Sequence, residues 1–467
     1  MQTYVTLLLF LSVLVRAQII GPTTGNIIKI GRTVGETGDE VPYSLLQDSY
    51  FDFFFNYTNT VLGGIEVGGE MYQIEQVVYN SASDCTDTGI LYQRLCAVDK
   101  VDILLNTVTN GCPAGPQAAE NYSIPMINGG DFSFTFNYPD GLNWTFTSVP
   151  NIFLGIRPCL LDFYNAGARS GILAVTEILY LGFVGSINAT VNELFPGFNL
   201  TIYPALDQTS IDGNNTYRKY LDPIIKDWQK LEADIFIGGA GTDGTVNLVN
   251  AMRENKYNVK GQYQIAGPNY QAVRNQLGWE GYGLATATNF DKSFNFTDPF
   301  FGNTSNFVRL FEAYFQTEPD STAAAYMLPG IIALAAIQKA GSLDPELIRE
   351  ALANLNITTF TGPVSFSSTG VIDNFQSYCY QISSTGEYNV IGSPNIPNNK
   401  PNITYPYVVT YPPGFFPGPN YRTRNIILIV CFCVGVPIIA VVGYIFYFIK
   451  NNHILIFSRK EVEGDGF

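Results

Sequence analysis

Histidine is almost absent: the 467 residues contain one, His453. For everything upstream this excludes a Ser/His/Asp triad, a Cys/His pair and a histidine-bearing zinc site. No C-x-x-C occurs, and no spacing singles out a pair of carboxylates. The chain is therefore not read as an enzyme, and neither a metal nor a cofactor is expected. Charge is also scarce, at 14% of residues against about 25% in ordinary soluble domains. It leans acidic, with 40 Asp and Glu against 25 Lys and Arg. That field argues against nucleic acid and anionic lipid surfaces as partners, and suits cationic or zwitterionic ligands.

Where charge is missing, long apolar runs take its place. "VTLLLFLSVLV" (5–15) is too short to span a bilayer, and Val15 and Ala17 follow it as a small-residue cleavage pair. Residues 1–17 read as a signal peptide. "NIILIVCFCVGVPIIAVVGYIFYFI" (425–449) carries no charge and at about 1.5 Å per residue exceeds a ~30 Å hydrocarbon core. The two segments imply a single-pass protein of the plasma membrane, its N-terminal bulk outside and residues 450–467 inside. Sequons at Asn56, Asn121, Asn143, Asn188, Asn199, Asn214, Asn295, Asn303, Asn356 and Asn402 all fall on the outer side, where glycosylation would supply solubility. A tail of 18 residues leaves signalling to a homodimer or a co-receptor.

Between these ends, short apolar runs alternate with helical stretches. "IIKIGRTV" and "YQIEQVVYN" read as strands, "YSLLQDSYFDFFFNYTNTV" as a helix between them. A second series starts at "FLGIRPCLLDFYNAG" and includes "SGILAVT", "YRKYLDPIIKDWQKL" and "IFIGG". Alternation of this kind implies crossover units and parallel sheets, and two series imply two doubly wound, Rossmann-like α/β lobes. Residues 393–424, rich in proline, read as a stalk. Five cysteines precede the span, so one is left over or pairs between chains.

Two passages carry a family likeness. "GGIEVGGEMYQIEQVVYNSASDC" (63–85) and "AAAYMLPGIIALAAIQKAGSLDPELIREAL" with "TFTGPVSFSSTG" resemble the type I periplasmic binding proteins. That fold also forms the outer ligand-binding region of animal receptors for glutamate, GABA and natriuretic peptides. The likeness covers 27–392 and implies two lobes joined by three crossovers, closing on a small molecule. Lobe one would hold 27–147 and 287–361, lobe two 148–286 and 362–392. It also implies a disulfide between Cys85 and Cys112. Cys159 and Cys379 fall in lobe two as a second pair to test, and Cys96 on a helical pattern reads as a buried thiol.

Ligands of open α/β sheets bind beyond the carboxyl ends of the strands. By that rule and the likeness, the cleft candidates in lobe one are Arg32, Thr37, Ala114, Gly115, Gly130 and Asp131. Those in lobe two are Glu177, Tyr180, Ala240, Asp243 and Asn269. Arg32 would pair a ligand carboxylate. Gly239, Gly241 and Gly244 spell G-x-G-x-x-G, yet a dinucleotide site wants an acidic residue at the next strand end, where Asn269 stands. The glycines read instead as a cleft loop whose N–H groups approach an anionic group. Asn269 also replaces the carboxylate with which amino-acid binders hold an ammonium, so an amide or amine is as well suited as an amino acid. Two functions remain: a receptor or capture protein for a small solute, or a surface glycoprotein that has given up its ligand for adhesion or assembly.

Overall fold

The computed structural model describes residues 18–412, apart from 23–24, 39, 108–111, 131–137, 151, 214–215, 266, 268–269 and 393–401. The expected signal peptide, membrane span and inner tail lie outside this range, as do Asp131, Asn214 and Asn269.

Lobe one begins with β1 (Gln18–Ile20), β2 (Ile27–Val34), α1 (Val41–Thr60), β3 (Ile65–Val67), β4 (Glu70–Asn80) and α2 (Cys85–Arg94). It continues with β5 (Ile103–Asn106), α3 (Ala114–Tyr122), β6 (Met126–Asn128) and β7 (Thr145–Thr147). The chain then crosses to lobe two: α4 (Ile152–Asn165), β8 (Ser170–Val175), α5 (Glu177–Leu194), β9 (Asn199–Ile202), α6 (Gln208–Asp212) and α7 (Tyr217–Lys230). There follow β10 (Ile235–Gly239), α8 (Gly241–Glu254), β11 (Gly261–Gln264), α9 (Gln271–Leu277) and β12 (Leu284–Thr288). It returns to lobe one with β13 (Thr297–Asp298), β14 (Gly302–Asn303), α10 (Thr304–Phe315), α11 (Ser321–Ala340), α12 (Pro345–Ala353), β15 (Asn356–Thr359) and β16 (Gly362–Ser365). It ends in lobe two with β17 (Tyr378–Ile382) and β18 (Tyr388–Ile391).

Each lobe is built on one sheet, ordered β1-β4-β2-β5-β6-β7 with β3 beside β4, and β18-β17-β12-β11-β10-β8-β9. The inner strands are parallel and the antiparallel ones sit at the edges. Period-two alternation splits β4 between two cores: Ile74 packs with α1 and α11, Val77 and Tyr79 with α2 and α3. In lobe two, α4 and α5 cover one face and α7 and α8 the other. Helix α11 is long and apolar enough to cross a bilayer, but 89% of its most apolar window is buried in the protein. It is the core helix of lobe one.

Two boundaries differ from the sequence reading. Phe366 and Ile372 pack in the lobe-one core and Val371 bridges Thr147, so the third crossing falls after 372 rather than at 361. Residues 402–412 do not leave as a stalk. They run along lobe two, with burial alternating between exposed and half-buried. Ile403 and Tyr405 pack on the lobe-two core, and the Gln381 side chain donates to the Thr404 carbonyl (3.2 Å) and accepts from its N–H (2.7 Å). The Tyr407 N–H donates to the Lys260 carbonyl (2.7 Å). A Cβ on Gly283 would lie 2.3 Å from the Tyr407 ring, so the strap seats only on glycine there. Its aromatic edge would otherwise be left in water.

Candidate functional site

The parallel strands of both lobes end toward a common cleft, and the loops there are held by short polar contacts. In lobe one the Gly35 N–H donates to Ser44 Oγ (2.7 Å), and Ser83 Oγ donates to the Thr37 carbonyl (2.7 Å). Thr37 is exposed at this rim. The Cys85–Cys112 disulfide ties the start of α2 to the turn before α3, as the likeness implied. Cys159 and Cys379 are also joined, and Cys96 is buried and free.

Arg32 is not a cleft residue. It is fully buried, its guanidinium paired with Asp48 and Asp52 of α1, its Nε donating to Gln76 Oε1 (3.0 Å), and it lies over the Phe51 ring. No face is left for a ligand carboxylate. Gly115 also turns inward: a Cβ there would come 2.8 Å from Asn106 Oδ1 and 3.1 Å from the Tyr92 ring. Ala114 packs toward Gly89 of α2. Gly130 is buried and its N–H donates to Asn128 Oδ1 (3.4 Å).

The lobe-two wall is better defined. Glu177 is exposed and both its carboxylate oxygens accept from the Gln208 N–H, at 3.0 and 3.1 Å. Tyr180 is half-buried against the lobe-two core. Ala240 is fully buried, its carbonyl accepting from Gln208 Nε2 (3.2 Å). Asp243 is exposed in the first turn of α8, with Gln276 Nε2 at 3.4 Å.

The glycine loop does receive an anion, but the anion is the protein's own. Asp212, at the end of α6, accepts from the Gly244 N–H and from Gln208 Nε2 (2.8 Å). A Cβ on Gly244 would sit 2.9 Å from Asp212 Oδ1, so the missing side chain is what admits α6. Burial raises the Asp212 pKa; Asp243 and Glu177 push it the same way against the Gln208 and Gly244 hydrogen bonds. Sequence reasoning missed Asp212 because "DQTSID" carries no mark that separates a plug from a surface turn.

The lobes meet beside this wall. The Tyr43 hydroxyl of α1 comes 3.9 Å from where a Cβ on Gly241 would stand. Asp320 caps α11 through Thr322 and Ala323 N–H and also accepts from the Gln271 N–H that opens α9 (2.8 Å). One carboxylate thus serves two helix starts, one per lobe. The sequence reading passed over Asp320; an Asp before an alanine-rich helix is the signal that marks its first role, and its second depends on how the lobes sit.

Comparison with known proteins agrees with this architecture. Residues 219–387 match the family model described as periplasmic binding protein. The branched-chain amino acid transporter substrate-binding protein of Streptococcus pneumoniae, solved with isoleucine, superposes with a TM-score of 0.62 at 15% identity, over 78% of this chain and 99% of that one. A benzoate-bound transporter solute-binding protein of R. palustris gives 0.62 at 16%, over 83% and 98%. The leucine-binding protein of Thermotoga maritima gives 0.61 at 16%, over 78% and 97%. At such identities the likeness is one of fold: this chain has the two-lobed α/β fold of the type I periplasmic binding proteins.

Proposed function

We propose that the chain is a cell-surface receptor or capture protein that binds a small cationic or uncharged solute, an amine or amide, between its lobes. The observation that carries the reading is the charge of the cleft wall. The described acids at the lobe-two mouth, Glu177, Asp212 and Asp243, come together around α6 and the start of α8, while Arg32 is turned inward onto Asp48 and Asp52. Two structural neighbours were solved with isoleucine or benzoate, each of which carries a carboxylate; here the helix start suited to a carboxylate is filled by Asp212. An extracellular place is supported by two disulfides and by the sequon asparagines. Of the nine described, eight are exposed and Asn188 is half-buried. The 425–449 segment would anchor the protein, and a second copy or partner subunit would carry any signal.

The test is thermal unfolding of the full chain in detergent against amines, amides, amino acids and benzoate. A ligand at a hundredfold excess over its Kd adds about 2.7 kcal/mol, and the shift should favour amines or amides and shrink in Asp243→Asn. A second reading, a glycoprotein that has given up its ligand, is favoured by the same plug of the glycine loop. No shift across the panel would select it.

A further inference from the structure

We propose that a groove beside the second crossover is a second binding site, which takes a small amine with an apolar body. The groove encloses about 610 Å³, within the range of small-molecule sites. Thr288 and Phe290 of the crossover line it, with residues from both lobes on either side. None of the cleft candidates described above contributes to it.

Three observations define what would bind. The first is a stacked aromatic wall: the rings of Tyr380 and Tyr388 lie 5.6 Å apart at 10°, with the Arg274 guanidinium 5.1 Å from the Tyr388 centroid. The second is depth. Tyr380 is only 6% exposed and borders the groove, so an apolar body laid against this wall is taken out of water.

The third is charge. The lining holds four carboxylates and two cations. Asp320 is committed to two helix starts, and Glu318 pairs with Lys292 at 2.6 Å. Asp291 spends its Oδ1 on Ser293 and keeps its Oδ2, and with Glu387 it faces a guest. An ammonium satisfies them while its apolar body covers the tyrosine pair; a carboxylate would meet repulsion. Because Asp320 and Ser321 belong to lobe one and Tyr380 and Tyr388 to lobe two, an occupant favours the lobe arrangement that keeps these walls together.

Titration of phenethylamine into the full chain in detergent, followed by calorimetry, tests this, with benzoate as counter-probe. Asn at 291 keeps the oxygen that accepts from Ser293, and Tyr388 is 42% exposed, so the groove variants should fold; unliganded melting checks that they do. The double variant Asp291→Asn, Glu387→Gln should weaken phenethylamine about tenfold or more, and Tyr388→Ala similarly, while benzoate shows no saturable binding. The proposal is overturned if phenethylamine does not bind or if benzoate binds as well. It is equally overturned if the affinity follows Asp243→Asn in the cleft instead of the groove variants.

Discussion

Asp298, the last residue of β13, is 2% exposed, and its Oδ1 accepts from the N–H groups of Phe300 (2.8 Å) and Phe301 (3.0 Å) in the turn that follows. Burial pushes its pKa up to about 6 despite those hydrogen bonds. A raised carboxyl pKa means that the folded state holds the proton more tightly than the unfolded chain. Its stabilising contribution is therefore full below about pH 4, the unfolded value, and is lost as pH rises toward 6. Asp162 is raised to about 6 by burial as well. Urea unfolding at pH 4.5 and pH 7 should show the folded state losing about 2 kcal/mol from Asp298 over that window. A flat profile would contradict the assignment. Arg32 offers a second test at this scale: Arg32→Met strands Asp48 and Asp52 and should cost about 2–3 kcal/mol of stability, leaving solute affinity unchanged. The sequence shows Asp48 and Asp52 four apart, hence on one helix face. That this face lies over the end of β2 is a tertiary fact, which is why Arg32 could be taken for a ligand contact.

At the scale of elements, the alternation of apolar runs and helical periods was enough to find β2, β4, β8 and β10, because central parallel strands are buried on both faces and read as continuous apolar stretches, while β9 and β12 went unread. Composition misled where proline dominated. In 402–412 the half-buried positions Ile403, Tyr405 and Tyr407 follow a period of two, but Pro406 between them and Pro401 and Pro412 beside them hide it. The strap lies by Lys260 and Gly283, which precede β11 and β12, the end of lobe two opposite the cleft. Hydrogen exchange should find the Thr404 and Tyr407 amides protected, and Gln381→Ala should release Thr404 first. Fast exchange of both in the wild type would restore the free stalk. The glycine loop makes a further test: Gly244→Ala drives a methyl to 2.9 Å from Asp212 Oδ1, and should cost about 1–3 kcal/mol by lifting α6. A neutral outcome in urea unfolding would show that α6 is not seated there.

For the whole molecule, two lobes on repeated crossovers could be read from the two strand–helix series, but the third crossing could not. The Thr147–Val371 bridge joins residues more than 200 positions apart, and no local pattern signals it. The same long separations make one bond matter more than its position suggests. Cys159–Cys379 spans 220 residues, Cys85–Cys112 only 27. In the chain-entropy account the longer closure contributes about 5 kcal/mol and the shorter about 3.5. The second segment of lobe one (β13 to β16) lies inside the longer loop, and if it stayed folded while lobe two opened, the effective loop would shrink. The dependence is logarithmic, so the figure falls only by a few tenths of a kcal/mol. Both sulfurs are fully buried between α4 and β17, so alanine pairs remove them without exposing polar groups. Melting of Cys159→Ala/Cys379→Ala should therefore fall by about 10 °C or more, and further than Cys85→Ala/Cys112→Ala. The reverse order would mean that lobe two is closed by its packing, with the bond adding little.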